Sequence, residues 1–119
     1  MKENRDQLYL ERIVESISKI ENHISGYDFD RFANDLKTYD AVLMQFVNIG
    51  EMINRLSDTF RETHNQMTWH AAIGMRNEIT HGYFNIRPEV VWKTIKDDLP
   101  SLKADLTKVL KTTQGSQWP

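Results

Sequence analysis

Four side chains in one short run, RNEITHGY at residues 76–83, are of the types that act on a phosphate ester: Arg76, Asn77, His81 and Tyr83. Cutting RNA without a metal needs a base for the 2′-hydroxyl proton, an acid for the leaving 5′-oxygen and a cation for the charge that builds on the phosphorane. Arg76 is a permanent cation, and His81 is of the residue type whose unperturbed pKa suits both proton roles. Asn77 can orient a phosphate or a ribose hydroxyl. Tyr83 offers a phenol beside the cation, or else is an aromatic at the edge of a core.

A helical projection of the run divides these groups. With Trp69 at zero and about 100° per residue, Ala72, Ile73, Ile79, Thr80 and Tyr83 fall within about 80° of it and mark a buried stripe. Arg76 lies about 20° from the centre of that stripe, so its charge is aimed where its neighbours are apolar. A buried unpaired guanidinium is costly. Arg76 must therefore meet a carboxylate such as Glu51 or Asp40, or line a wet cleft that accepts an anion. His70, Asn77 and His81 share a second, polar stripe at about 80° to 120°, with Gly74 near 140°. A glycine inside a helix costs about 1 kcal/mol relative to alanine, so Gly74 implies close approach by a partner helix or a ligand. Arg76 and His81 are separated by about 140° and a rise of about 7.5 Å. One straight helix does not put them on one face. They can converge if the arginine reaches round, if His81 swings at the helix end near Gly82, or across a twofold dimer axis that also brings two copies of His81 together.

Other chemistries lack their motifs. There is no glycine-rich phosphate loop, GxSxG elbow or CxxC pair in the sequence. The four histidines, His23, His64, His70 and His81, form no recognised metal spacing, so neither a metal site nor a cofactor is expected. Fifteen Lys plus Arg against 17 Asp plus Glu give a formal charge of −2, which does not favour a general polyanion binder but leaves a local basic cleft open. The absence of cysteine excludes disulfides and thiolate metal sites. The N-terminal residues are charged throughout and no run of about 18 apolar residues occurs, so a cytoplasmic location with no membrane contact is expected.

The elements that must position the run are helices. Leu10, Ile13, Ile17, Ile20 and Ile24 recur at spacings of three and four over residues 9–25, and Gly26 should stop that helix. Asp28 is a fair cap for a short helix with Phe29, Phe32 and Leu36, and Thr38 for a longer one over residues 39–61 with Val42, Phe46, Ile49, Ile53, Leu56 and Phe60 on its face. Thr68 can cap a fourth helix from Trp69, ended by Gly82 in the left-handed conformation. Pro88 suits the first turn of a fifth, with a kink or restart expected at Pro100. The prediction is one all-α domain over residues 1–119, an antiparallel bundle of four long helices and one short one, with a loose tail at 113–119.

The stretch GMRNEITHGYF at residues 74–84 resembles the Arg-x4-His-x-Tyr signature of HEPN-domain toxins of the HepT family, reading here Arg76, His81 and Tyr83. The resemblance extends to IGE at residues 49–51, Trp69, VW at residues 91–92 and DLPSL at residues 98–102, and so covers most of the chain. It implies a helical-bundle homodimer with the signature at the dimer cleft, acting as a metal-independent ribonuclease in a toxin-antitoxin pair. The implied partner is a minimal nucleotidyltransferase of the MNT type, which neutralises such toxins by AMPylation of the signature tyrosine, here Tyr83. Phosphate added beside the cleft would place negative charge where Arg76 should meet RNA. Two other readings fit the same residues: a non-catalytic helical partner that presents Tyr83 to the nucleotidyltransferase, and a nucleotide-binding bundle that receives phosphate at Arg76 and the Gly74 backbone.

Overall fold

The structure is a computed structural model that describes the backbone of residues 2–117 and the side chains of residues 5–112. Every regular element among the described residues is helical, as the apolar spacing predicts. Helix α1 spans Lys2–His23 and buries Leu10, Ile13, Ile17 and Ile20 along one stripe, which the buried Ile24 continues just past its end. Gly26, at φ +78°, turns the chain in the left-handed region that favours glycine. Asp28 then caps α2, Phe29–Asn34, by accepting from the Arg31 amide at 2.8 Å.

Helix α3, Leu36–Arg55, departs from expectation at both ends. Its cap is Asp35 rather than Thr38: the Asp35 carboxylate accepts from the Thr38 amide at 3.1 Å and from the Thr38 hydroxyl at 2.9 Å. The same carboxylate accepts from the Tyr27 hydroxyl at 2.6 Å. That bond first, and those from Thr38 next, hold the Asp35 pKa below its ordinary value. A carboxylate outcompetes a hydroxyl here because it also opposes the partial positive charge of the helix start. At the other end the chain leaves the helix at Leu56, and Ser57 caps a separate short helix α4, Asp58–Thr63. Leu56 and Phe60 continue the apolar spacing, so periodicity alone predicts no break. A tertiary contact makes it. The buried Asp6 carboxylate of α1 accepts from the Ser57 amide at 2.9 Å and the Ser57 hydroxyl at 2.7 Å, while Ser57 Oγ accepts from the Phe60 amide at 3.1 Å.

Helix α5, Trp69–Gly82, begins where predicted, although Thr68 makes no side-chain cap. The Trp69 indole donates instead to the His64 carbonyl at 2.9 Å. Gly82 ends α5 as expected but not in the left-handed conformation, since its φ of −168° is extended backbone. A 3-10 turn, Tyr83–Asn85, follows. Pro88 opens α6, Pro88–Lys93, at its first turn. The break anticipated at Pro100 takes the form of a π-helical segment, Thr94–Asp98, leading directly into α7, Leu99–Gln117. A proline ring collides with the carbonyl four residues earlier, and the wider π turn moves that carbonyl away. Of the tail expected to be loose, the backbone is helical to Gln117, and Trp118 and Pro119 lie outside the described residues.

The result is an all-α antiparallel bundle with long stretches α1, α3, α5 and the joined α6–α7, and two short helices, α2 and α4, where the sequence predicts one. Helix α3 is central, packed along α1 on one side and α5 on the other, while α7 returns against α1. Phe32, Phe46, Ile17, Ile49, Ile53, Leu102 and Leu106 are fully buried between them. Truncating one of these to alanine costs about 2–5 kcal/mol.

Candidate functional site

Two contacts fix the register of α5 on α3. Near the middle, Arg76 meets Glu51; at the end, Tyr83 meets Asp40, so the two helices run antiparallel. Each carboxylate proposed as a partner for Arg76 is thus used, but by different residues. Arg76 Nε donates to Glu51 Oε1 at 3.0 Å, and its Nη2 donates to the same oxygen. Arg76 Nη1 donates to Asn77 Oδ1 at 2.9 Å. The side chains of Arg76 and Glu51 keep 27% and 39% of their exposure, so neither ion carries the full desolvation cost of a buried pair. All three guanidinium nitrogens thus have an acceptor within the chain, and Asn77 is left with its amide nitrogen as a donor.

What lets a guanidinium sit on an apolar stripe is a glycine across the helix pair. A Cβ at Gly50 would lie 2.5 Å from Arg76 Cβ and 2.6 Å from its Cγ. Gly50 itself is buried, and the stem of Arg76 passes over its bare backbone. The sequence shows Gly50 only as part of the IGE landmark; a glycine beside a carboxylate in the middle of an apolar helix face is the signal that could have identified this seat. Gly74 is different. Nothing lies within 4 Å of a Cβ built there, so the close approach expected at Gly74 is not made by any described residue of the chain.

Tyr83 is 37% exposed, and its hydroxyl donates to Asp40 Oδ1. That hydrogen bond, then desolvation and the Asp40 charge, push the Tyr83 pKa above the usual phenol value. Asp40 also acts through its charge on Tyr39, whose pKa is raised chiefly by burial. Phe84, next along the 3-10 turn, is 95% exposed and meets the Tyr83 ring edge-on at 5.1 Å between centroids.

His81 stands apart from Arg76. It is exposed in the last turn of α5 and opens into a cleft of about 310 Å³ shared with Glu78, Asn85, Ile86 and Arg87. Neither Arg76 nor Asn77 lines that cleft. Within the chain, then, the structure brings Arg76, Asn77 and Glu51 together, pairs Tyr83 with Asp40, and leaves His81 in a separate cleft. Arg87 and Glu78, both in the His81 cleft, carry no signal in the periodicity, because Arg87 lies beyond the helix end and Glu78 reads as a solvated helix residue. Among the described residues no group of three or more His, Asp or Glu is placed to hold a metal, and no helix is long and apolar enough to cross a membrane.

Comparison with known proteins agrees with the family resemblance. The family model described as "Ribonuclease HepT-like" matches residues 13–109. A "Probable ribonuclease HepT" of Thermococcus cleftensis is 37% identical over 103 residues, covering 87% of this chain and 94% of that protein. A "Putative RNase" of Caldanaerobacter subterraneus subsp. tengcongensis is 29% identical over 103 residues, covering 87% of this chain and 92% of its own. No solved structure matches the chain.

Proposed function

Because this chain belongs to the HepT-like ribonuclease family, we propose that it is a cytoplasmic endoribonuclease toxin that cuts RNA without a metal, through Arg76 and His81 at the cleft of a homodimer. The observation that carries the mechanism is the separation of Arg76 and His81 onto different walls of one protomer, with His81 exposed. Two copies related by a twofold axis satisfy the chemistry where one does not. His81 of one protomer takes the proton from the 2′-hydroxyl as the 2′-oxygen bonds to phosphorus. The bond from phosphorus to the 5′-oxygen breaks, and a second His81 returns a proton to that oxygen. Arg76, held by Glu51 and Asn77, faces the charge developing on the phosphorane, where a preorganised cation is worth most. The polar stripe of His70, Gly74 and His81, all exposed, supplies the face on which a second copy would lie.

The same reading gives Tyr83 its role. Its partly exposed hydroxyl is a suitable acceptor for AMP from an MNT-type nucleotidyltransferase antitoxin, and an added phosphate there would repel RNA. The decisive experiment measures cleavage of total cellular RNA in chelator by the wild-type protein, Arg76→Ala and His81→Ala, together with growth arrest on expression. Loss of both effects in the two variants is expected. Complex formation and AMP transfer persisting with a wild-type protein that neither cleaves RNA nor arrests growth would favour the non-catalytic partner reading instead.

A further inference from the structure

The turn that follows α5 presents two adjoining surfaces of opposite character. On one side is the cleft of His81 with Arg87 and Asn85. On the other is an aromatic groove of Tyr39, Tyr83 and Phe84 with Leu36 and Ile86, about 400 Å³ in volume. Ile86 lines both, so the two are joined at one side chain. Among the described residues Arg87 makes no ion pair, although Glu78 shares its cleft. Phe84 keeps 95% of its surface in solvent, so its ring is free to stack, and it stands nearly perpendicular to the Tyr83 ring at 84°. An isolated exposed phenylalanine needs no ligand to explain it. One placed against a groove of further aromatics, a single residue from a cleft that holds an arginine and the proposed acid-base histidine, has the two components of single-strand recognition: a stacking surface and a cation for the backbone.

We propose that residues 83–87 form a nucleotide subsite for single-stranded RNA, in which Phe84 stacks a base and Arg87 binds the phosphate next to the one that His81 acts on. The inference rests on the ribonuclease reading and assigns its substrate class as unpaired RNA, because a base in a duplex offers no free face. Arg76, tied to Glu51, serves the reacting phosphate; Arg87 serves its neighbour. Glu78, which lines the same cleft, repels the backbone and so biases it towards Arg87.

The test compares a short single-stranded oligoribonucleotide with the same sequence annealed to its complement. Arg87→Ala and Phe84→Ala should each raise KM for the single strand about tenfold, with the loss falling on KM rather than kcat. Arg87→Ala should also flatten the dependence of log(kcat/KM) on log salt by about 0.7, the share of one phosphate on a single strand. Phe84→Tyr should retain binding while Phe84→Leu does not, and Glu78→Gln should lower KM. The duplex should be cut poorly. Unchanged KM in both alanine variants overturns the subsite, as does equal rescue by Leu and Tyr or a fall in molar mass by light scattering for Phe84→Ala, which would make the groove a contact between copies. Should the wild-type protein cut no RNA, the ribonuclease reading falls separately. The subsite is then decided by anisotropy of a labelled oligoribonucleotide: weaker binding by the two alanine variants upholds it, and equal binding removes it.

Discussion

The Cβ that alanine would add at Gly50 falls 2.5 Å from the Cβ of Arg76, so a missing side chain on α3 is what seats the cation of α5. Glu51, the next residue, then receives the guanidinium. Two consecutive residues of one helix thus fix both the position and the direction of the group proposed to face the phosphate.

Gly50→Ala should therefore separate stability from activity. Alanine in a helix interior gains about 1 kcal/mol in propensity, while overpacking costs about 1–3 kcal/mol. A net loss of about 1 kcal/mol, read by denaturant unfolding, is expected. RNA cleavage should fall by at least about tenfold, because small misplacements of a catalytic group are costly. A variant of full activity would show that the seat does not matter.

Removal of the Glu51 carboxylate changes direction more than stability. The pair is partly exposed, so Glu51→Ala should cost about 1 kcal/mol or less in unfolding free energy. Cleavage should nevertheless drop about tenfold, with Glu51→Gln intermediate, since glutamine still accepts from Arg76 Nε. An increase in rate would mean that Glu51 restrains Arg76 rather than aims it.

His81→Ala should lower the cleavage rate by about 10² to 10⁴ while leaving thermal unfolding nearly unchanged, because the imidazole is exposed and packs into no core. Sedimentation or light scattering of the same preparation should return a dimer. A monomer that cleaves RNA would remove the paired-histidine mechanism.

The Tyr83–Asp40 bond has a consequence in alkali. Its folded pKa lies above the phenol's ordinary value of 10.0, so the folded chain keeps a proton that the unfolded chain releases. This contribution to stability is present below pH 10 and is lost as pH rises through the folded value. Asp40→Asn should shift tyrosinate absorbance to lower pH, involving Tyr39 as well, and flatten the alkaline decline in stability. An unchanged titration would show that Asp40 does not hold the Tyr83 hydroxyl in solution.

Asp35 gives the opposite limb. Its folded pKa is below the ordinary 3.8, so its contribution is present above that value and is lost as pH falls through the folded one. Asp35→Ala should lower the melting temperature at neutral pH and make the acid decline shallower. Tyr27→Phe, which removes the largest cause of the shift, should reproduce part of the change.

From the sequence alone the fold class, the buried stripes and the signature were legible, because helical periodicity is a local property and Arg76 breaks it conspicuously. Gly26, Asp28 and Pro88 were legible as punctuation for the same reason, as each acts through its own backbone or its near neighbours. What the tertiary structure decided were outcomes of contacts distant in sequence. Asp6 reaches Ser57 and divides a helix whose apolar spacing runs on unbroken. Arg76 had two plausible carboxylates, and only the antiparallel register of α3 on α5 gave it Glu51 and left Asp40 to Tyr83. Gly50 stood out only as part of the IGE landmark, and its role as the seat of the arginine stem depends on how α5 packs across α3. Arg87 joined His81 because the chain turns after Gly82, a direction that no periodicity encodes. The residues able to do chemistry could be named from their types and spacing, but which of them share a wall depended on how the helices pack.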